Sequence, residues 1–231
     1  MAKLSKRFKE IVKSFEEDKE YTVDEAIAIL QKTKAPKFDE SVEVALRMGA
    51  DPKKADQQVR GTVSLPHGTG KSVKLVVFAK GDKLKEAMDA GADLAGDAEL
   101  MEKIQGGWLD FNAVIATPDM MREIGRLAKV LGPRGMMPTP KAGTVTTDVA
   151  KAVKEIKAGK IEYRLDKNGC INNSVGKRSF SKEQLVANIL SYIDAIQKAK
   201  PVSTKGTYMM KCVLSTTMGP GLKIKLSSLG G

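Results

Sequence analysis

The feature that most constrains the fold is a hydrophobic period that changes twice along the chain. Near both ends apolar and polar residues alternate, as in Val42–Met48 and Ile161–Leu165, and this period of two is typical of strands that bury one face. Between them the run Leu75–Ala79 is apolar at every position, which indicates a strand buried on both faces. Two different kinds of sheet are therefore expected in the 231 residues.

The N-terminal segment predicts two helices followed by two strands. The first helix is indicated by an apolar stripe at helical spacing, formed by Phe8, Ile11, Val12 and Phe15. A capping box at Thr22–Glu25 starts the second helix. The alternating segments Val42–Met48 and Val59–Leu65 are expected to lie in one antiparallel sheet with one solvent-exposed face.

The C-terminal segment has the same mixture of helix and alternating strands. Asn168–Gly169 is a dipeptide favoured in type I′ turns and predicts a hairpin. A second capping box at Ser181–Gln184 starts a helix. The buried face of this helix is expected to consist of Leu185, Ile189, Ile193 and Ile196. Two further strands, Tyr208–Ser215 and Leu222–Leu226, flank the loop Thr216–Gly221.

The middle of the chain alternates strands with helices. The strand at Leu75–Ala79 is followed by two helical stretches and by a second apolar strand at Phe111–Ala116. Thr117 is expected to cap the next helix, and Thr147 a later helix that ends at Gly159. The inward face of the helix after Thr117 is predicted to be Met121, Ile124, Ala128 and Leu131. This alternation is typical of an α/β unit with a mainly parallel sheet.

Together these patterns predict a discontinuous two-domain protein of mixed α/β and α+β class. Residues 1–67 plus 160–231 share one pattern and are expected to form an α+β domain from both chain ends. Residues 68–159 are expected to form an inserted α/β domain. The formal net charge of the chain is +11, and residues 160–231 carry +8 of it.

This excess of positive charge favours a polyanionic partner. The chain has 39 Lys and Arg residues against 28 Asp and Glu residues, and its isoelectric point is near 9.5. Nucleic acid is the first candidate and an anionic membrane surface the second. Because the excess is concentrated after residue 160, the partner is expected to bind the domain built from the chain ends.

Several classes of protein are disfavoured by what the sequence lacks. Two cysteines, Cys170 and Cys212, without a Cys-x-x-Cys motif argue against a disulfide framework and against common structural zinc sites. The single histidine, His67, argues against a Ser-His-Asp triad. No apolar run approaches the ~20 residues of a membrane-spanning helix, and the N-terminus does not resemble a signal or transit peptide. We expect a reduced, intracellular, soluble protein that is not an enzyme and has no cofactor or metal.

The segment Gly68–Ser72 resembles the end of a phosphate-binding P-loop but lacks two of its features. The motif needs a glycine where this chain has Leu65, and a helix where this chain runs into an apolar strand. A flexible crossing between the two domains is the better interpretation. A nucleotide-dependent enzyme stays open as an alternative, and so does a basic structural protein that binds any RNA alike.

The loop Leu131–Val145 is a candidate contact site for nucleic acid. It holds three prolines and three glycines in fifteen residues, and loops of this length inside compact domains are often functional. Arg134 and Lys141 would lie on a stiff frame and could meet a phosphate backbone at little entropic cost. A plain connection between helices is the alternative.

Two segments of the basic domain offer contacts of another kind. Phe38 precedes the strand at Val42 and is either a core residue or a half-exposed ring that packs on a ribose or base beside Lys37. The loop Thr216–Gly221 supplies hydroxyls, free amides and a glycine that lets another backbone approach closely. A simple hairpin loop is the alternative for this segment.

Several segments, taken in order, resemble one known family. They are Phe38–Val44, Gln58–Lys71, Leu131–Val145, Tyr163–Gly169, Gly176–Phe180 and Thr216–Gly221. Over essentially its whole length, the chain resembles the family of large-subunit ribosomal protein one in its bacterial form. The resemblance implies an α+β domain with an inserted Rossmann-like domain, and a place on the mobile stalk beside the tRNA exit site.

The resemblance also implies a set of partners. They would be the rRNA of the stalk, the deacylated tRNA that leaves through the exit site, and the messenger of the protein's own operon, whose translation the protein would repress. Such a protein would be a monomer off the ribosome, without membrane contact. It would lie on cytoplasmic or organellar ribosomes.

Contact residues follow from the same resemblance. The positions that correspond to rRNA contacts of the family are Lys37, Phe38, Asp39, Ser41, Thr217, Met218 and Gly219. Lys211 would add a phosphate contact, and Arg134 and Lys141 are candidate contacts to tRNA or rRNA. Asn172 stands where family members often have histidine, so this chain lacks any contact that an imidazole would make there.

Overall fold

The structure is a computed structural model that describes residues 5–16 and 18–229. Its helices are α1 Lys6–Val12, α2 Val23–Lys32, α3 Asp82–Asp89, α4 Ala98–Gln105, α5 Met121–Ile124, α6 Ala128–Leu131, α7 Val149–Lys157 and α8 Lys182–Lys198. Its strands are β1 Glu20–Tyr21, β2 Ser41–Met48, β3 Arg60–Ser64, β4 Leu75–Phe78, β5 Leu94–Gly96, β6 Ala113–Ala116, β7 Lys160–Arg164, β8 Cys170–Lys177, β9 Met209–Thr216 and β10 Leu222–Ile224. The prediction of a mixed α/β protein is confirmed.

The chain packs as two compact units. The described residues up to Gly70 and from Ile161 onward form the first, which we call the terminal unit. Lys71–Lys160 form the second, which we call the middle unit.

A five-stranded sheet forms the frame of the terminal unit. Its strand order is β1-β10-β9-β2-β8, and neighbouring strands are antiparallel except for β1 and β10. One face of the sheet carries buried residues such as Val44 and Leu214, and these share a core with Leu185 and Ile193 of α8. On the other face Glu43 and other polar side chains are exposed. The alternation of β2 is therefore reproduced residue by residue.

Both predicted capping boxes are present. At the start of α2, Thr22 and Glu25 exchange side-chain to backbone hydrogen bonds, and Ser181 and Gln184 do the same at the start of α8. The predicted apolar face of α8 is fully buried, with Leu185, Ile189, Ile193 and Ile196 each at most 1% exposed. Helix α1 ends at Val12, so Phe15 of the predicted stripe lies outside it.

Two predictions about strand pairing are wrong. Strand β3 pairs with β7 in a separate two-stranded sheet and does not join β2, whose two edges are already occupied by β8 and β9. Consequently β7 and β8 lie in different sheets. The chain still reverses between them, where the Gly169 N–H donates to the Asp166 carbonyl at 3.1 Å and the Asp166 N–H donates to the Cys170 carbonyl at 2.8 Å, but the turn is not of type I′. A type I′ turn needs positive φ at both central residues, but among the described residues positive φ occurs only at glycines.

Asp166 forms the turn instead. Its carboxylate accepts hydrogen bonds from the backbone N–H groups of Asn168 at 2.8 Å and Cys170 at 2.7 Å. Gly169 follows with a φ of +75°, a left-handed conformation that glycine adopts without strain. An aspartate that closes its own turn therefore replaces the expected Asn-Gly turn.

The middle unit contains a parallel sheet that is covered on both sides. Its strand order is β5-β4-β6, with both pairs parallel. Leu75 and Val77 point into one core, which includes α7, whereas Val76 and Phe78 point into another, which includes α4. All four residues of β4 are buried, as the continuous apolar run predicts.

The helical segment after Thr117 differs from its prediction in phase. It is a succession of short α and 3-10 turns, and its buried residues are Met120, Ile124, Leu127 and Leu131. Ile124 and Leu131 are buried as predicted, whereas Ala128 is exposed and Met121 only half-buried, because Met120 and Leu127 occupy the other two positions of the buried face. Thr117 makes no side-chain capping bond.

The N-cap of α7 is Asp148 rather than the predicted Thr147, since the Asp148 carboxylate accepts the Lys151 N–H.

Asn188 binds the start of the segment Gly68–Ser72, which the sequence predicts to be a flexible crossing between the domains. Its side chain is fully buried in α8, accepts the His67 N–H at 3.0 Å and donates to the carbonyls of Gly68 at 2.9 Å and Val175 at 2.8 Å. Residues 67–68 are thus bonded to α8 rather than free.

Replacing Asn188 by Ala should destabilise the protein by about 2–3 kcal/mol, because the buried Val175 carbonyl and the partly buried backbone groups of His67 and Gly68 lose their hydrogen-bond partner. Urea unfolding measures this loss. The matched control is Asn172→Ala on the exposed face of β8, which should change stability by less than about 0.5 kcal/mol. Equal effects of the two substitutions would contradict the assigned role of Asn188.

The two cysteines should differ sharply in reactivity. Cys212 is fully buried, and burial raises the pKa of its thiol to about 12, so at pH 8 only about one molecule in 10⁴ carries the thiolate. Cys170 is half-buried at the start of β8, with its Sγ 3.8 Å from Nη1 of Arg47. We expect an aromatic disulfide reagent to titrate one thiol in the native protein and two after denaturation, and Cys170→Ser to abolish the native reaction. Fast native labelling of Cys212 would contradict its burial.

Candidate nucleic-acid interface

Two predicted contact segments lie next to each other in the terminal unit. Ser41 of one segment is hydrogen-bonded to Thr217 of the other, although they are 176 residues apart in the sequence. Lys37–Ser41 leads into β2, and Thr217–Gly219 follows β9. Because β2 and β9 are antiparallel, with Val42 opposite Thr216, the start of one strand adjoins the end of the other. The Thr217 N–H donates to the Ser41 carbonyl at 3.1 Å, and the Ser41 N–H donates to Oγ1 of Thr217 at 3.1 Å. We call these two segments together the loop surface.

The loop surface presents two large apolar side chains to solvent. Phe38 is 53% exposed and Met218 is 51% exposed. The alternative in which Phe38 is a core residue is therefore wrong. Lys37 beside Phe38 is also exposed, so a ring and a cation are available together to a ligand, as the prediction requires.

Gly219 is required by the shape of the loop. A Cβ atom at this position would lie 2.1 Å from Oγ1 of Thr216, which is itself buried. The Gly219 N–H donates to the Thr216 carbonyl at 3.0 Å. The loop is thus a tight, internally bonded turn that any larger residue at 219 would deform.

A third segment, Lys177–Phe180, supports the loop surface. The Lys177 Nζ donates to the Asp39 carbonyl at 3.2 Å and to Oγ of Ser41 at 3.2 Å. Ser179 donates through its N–H, at 3.2 Å, and through its hydroxyl, at 2.8 Å, to the Asp39 carboxylate. Asp39 is therefore engaged within the protein.

The role of Lys177 and Ser179 was not found from the sequence. They lie in the segment Gly176–Phe180, which carries part of the family resemblance. The resemblance marks this segment as characteristic but gives it no contact, since its proximity to Asp39 depends on the pairing of β8 with β2.

Glu40 belongs to the first segment of the loop surface, but its side chain is buried and the residue is only 1% exposed. Its Oε1 accepts the Met218 N–H at 2.9 Å, and its Oε2 accepts from Nη1 of Arg178 at 2.9 Å. Sequence reasoning did not single out this residue, because an isolated glutamate at a strand start is ordinarily solvated.

Lys211 does not join the loop surface. It is exposed on β9, opposite Arg47 of β2, and lies six residues before Thr217, or about 20 Å along an extended strand. Asn172 is also exposed and lies opposite Ala45. These residues occupy the solvent-facing side of the sheet rather than the end where the loop surface lies.

Arg134 and Lys141 are exposed in the middle unit. The second half of their loop is braced: the Thr139 N–H donates to Oγ1 of Thr144 at 2.8 Å, and the Ala116 N–H donates to the Thr144 carbonyl at 2.9 Å. A parallel bridge between Ala116 and Val145 adds the end of this loop to the edge of the sheet. The predicted stiff frame is present around Lys141.

The described residues contain no built site for catalysis or for a metal. No group of three or more His, Cys, Asp or Glu side chains in residues 5–16 and 18–229 is arranged to hold a metal ion. The segment Gly68–Ser72 is followed by strand β4 rather than by a helix, so it lacks the helix N-terminus of a P-loop. None of the helices in the described part of the chain has the length and apolar content that a bilayer span requires.

An exposed lysine and an exposed ring on a fixed loop, in a chain of net charge +11 whose described residues show no metal cluster, are typical of a nucleic-acid-binding protein rather than an enzyme. Comparison with known proteins makes this class specific. Residues 30–220 match the Ribosomal protein L1p/L10e family. The chain therefore belongs to the ribosomal protein L1p/L10e family, and it is a structural ribosomal protein rather than an enzyme.

Two bacterial relatives are similar to the chain over nearly its whole length. The large ribosomal subunit protein uL1 of Protochlamydia amoebophila is 63% identical over 226 residues, which cover 98% of this chain and 96% of the relative. The protein of the same name from Kosmotoga olearia is 55% identical over 224 residues, which cover 97% of each chain. The relatives indicate the ribosome as its location, which in bacteria is in the cytoplasm.

Proposed function

We propose that the protein binds the rRNA of the large-subunit stalk through the loop surface. The observation that carries this proposal is that two segments far apart in sequence, both assigned to rRNA contact by resemblance, are joined by two hydrogen bonds between Ser41 and Thr217 and expose Lys37, Phe38 and Met218. Membership of a ribosomal protein family supports rRNA as the ligand.

Recognition would combine three kinds of contact. Lys37 supplies a salt-dependent attraction to phosphates. Phe38 and Met218 supply apolar surface for a ribose or an unstacked base, worth about 1–3 kcal/mol for a stacked ring. The tight turn at Gly219 gives the RNA a loop of fixed shape to pack against. Such a surface selects a folded RNA by shape rather than by reading a duplex sequence.

We propose that the two units correspond to a split rRNA-binding domain, residues 1–67 plus 160–231, and an inserted Rossmann-like domain, residues 68–159. The separate packing of the terminal and middle units supports this assignment. The parallel sheet of the middle unit, covered on both faces, supports the description of the insert.

Further roles rest on the family resemblance. The protein assists release of deacylated tRNA at the exit site, with Arg134 and Lys141 of the middle unit as its contacts. It also represses translation of its own messenger, which would present the same RNA shape to the loop surface. Off the ribosome it is a monomer. Lys211 on the sheet adds a contact to a neighbouring phosphate.

Substituting Met218 by Asp should lower affinity for a stalk rRNA fragment at least tenfold at fixed salt, because a carboxylate would face the RNA backbone. Met88→Asp on α3 is the matched control, since Met88 is also 51% exposed and receives the same charge change. Filter binding of the fragment, with bulk tRNA as competitor, measures both. Equal affinities of the two variants would remove Met218 from the site, and a wild-type protein that does not prefer the fragment to bulk tRNA would contradict the proposed function itself.

For the middle unit, Arg134→Glu should reduce crosslinking between the stalk and exit-site tRNA several-fold, because a cation that faces phosphate becomes an anion. The control is Arg126→Glu, which reverses another exposed arginine of the same unit. Site-specific crosslinking on assembled ribosomes is the measurement. Unchanged crosslinking with Arg134→Glu argues that this loop is a plain connection.

A further inference from the structure

Glu40 is unusual for its position in the chain. Its neighbours Lys37, Phe38 and Asp39 are exposed, yet Glu40 is the single charged residue that is buried among residues 5–16 and 18–229. Burying a carboxylate is costly unless both of its oxygens find donors. Its two oxygens receive the Met218 N–H and the Arg178 guanidinium, so Glu40 is fully engaged.

Arg178 extends this contact to two other parts of the terminal unit. Its Nη2 donates to the carbonyls of Gln31, at 2.8 Å, and Thr33, at the end of α2. Its backbone N–H donates to the Glu40 carbonyl at 2.8 Å. One buried ion pair thus connects α2, the segment before β2, the end of β8 and the loop after β9.

Arg7 of α1 also bonds to the loop after β9. Its Nη2 donates to the Met218 carbonyl at 2.6 Å, and its Nη1 donates to the Lys34 carbonyl at 3.2 Å. The backbone of Met218 is therefore fixed at both ends, with its N–H on Glu40 and its C=O on Arg7. The side chain of Met218 stays exposed.

We propose that Glu40 and Arg178, together with Arg7, are positioning residues that hold the Met218 backbone in the RNA-binding arrangement before RNA is bound. This inference rests on the proposed function of the loop surface. Glu40 and Arg178 do not touch the RNA, since their side chains are only 1% and 13% exposed.

Stability alone does not explain the ion pair. Well-packed apolar residues of similar volume are often as stabilising as a buried ion pair. What the pair supplies is direction, because each Glu40 oxygen accepts from a different donor and the two Nη atoms of Arg178 bond to different segments. A loop that visits the binding conformation for only a fraction of the time binds with an affinity reduced by that fraction, and the bonds at both ends of Met218 remove this loss.

The test uses Glu40→Gln in the full chain. The amide keeps an oxygen for the Met218 N–H but removes the charge that orients Arg178. We expect affinity for the stalk rRNA fragment to fall about tenfold, and the Met218 amide hydrogen to exchange faster in the free protein. Glu162→Gln is the matched control, because it breaks an ion pair with Arg60 in the same unit, away from the loop surface; it should change neither quantity.

Salt dependence separates positioning from contact. Lys37→Ala should lower the slope of log Kobs against log salt by about 1, since one phosphate contact is lost. Glu40→Gln and Arg178→Met should lower affinity with the slope unchanged. A slope that falls with Arg178→Met would make Arg178 a contact residue and overturn the proposal, as would unchanged affinity despite faster exchange at Met218.

Arg7→Gln is the second test, to be used if Glu40→Gln and Arg178→Met fail to fold. Arg7 is partly exposed, and its substitution removes only the bonds to the Met218 and Lys34 carbonyls. It should weaken RNA binding three- to tenfold with thermal unfolding nearly unchanged. If wild-type protein prefers the stalk fragment but Arg7→Gln and Glu40→Gln bind it equally well, positioning alone fails; if wild-type protein shows no preference, the proposed function fails first.

Discussion

The antiparallel pairing of β2 with β9 is the constraint on which the rest of the terminal unit depends. It joins Ser41–Met48 to Met209–Thr216 across the whole middle unit, and so it closes a loop of more than 150 residues, at an entropic cost that grows only slowly with loop length. Because the pairing sets Val42 opposite Thr216, the segments at that end of the strands must meet. The loop surface is a consequence of strand register.

Negative side chains are the unexpected component of the loop surface, since a carboxylate beside an RNA backbone is unfavourable. The two carboxylates accept hydrogen bonds from protein donors: Asp39 from Ser179, and Glu40 from Arg178 and the Met218 N–H. Glu40 thus acts inward as an acceptor that fixes the Met218 backbone, and the exposed Asp39 carboxylate accepts from Ser179. What remains directed outward is the cation of Lys37 and the apolar surface of Phe38 and Met218.

Sequence reasoning succeeded where the interactions are local and failed where partners are distant. The capping boxes at Thr22 and Ser181 involve residues three positions apart and are present as predicted. The partner predicted for β3 and the strand pairing predicted around Asn168–Gly169 were wrong, because alternation shows which face of a strand is buried but not which strand lies beside it. For the same reason the contact segments were found by resemblance, whereas Glu40 and Lys177 became visible only when β2, β8 and β9 were placed together.

The middle unit builds its candidate surface by a different route. The loop that carries Lys141 is closed by bonds between Thr139 and Thr144 and by the bridge from Val145 to Ala116, all within residues 113–145. Its stiffness therefore depends on local bonds and on one sheet edge, while the loop surface depends on strand pairing between the two ends of the chain. The bonds that hold each set of candidate contact residues lie within one unit, so mutations that loosen the loop at Met218 remove none of the bonds around Lys141.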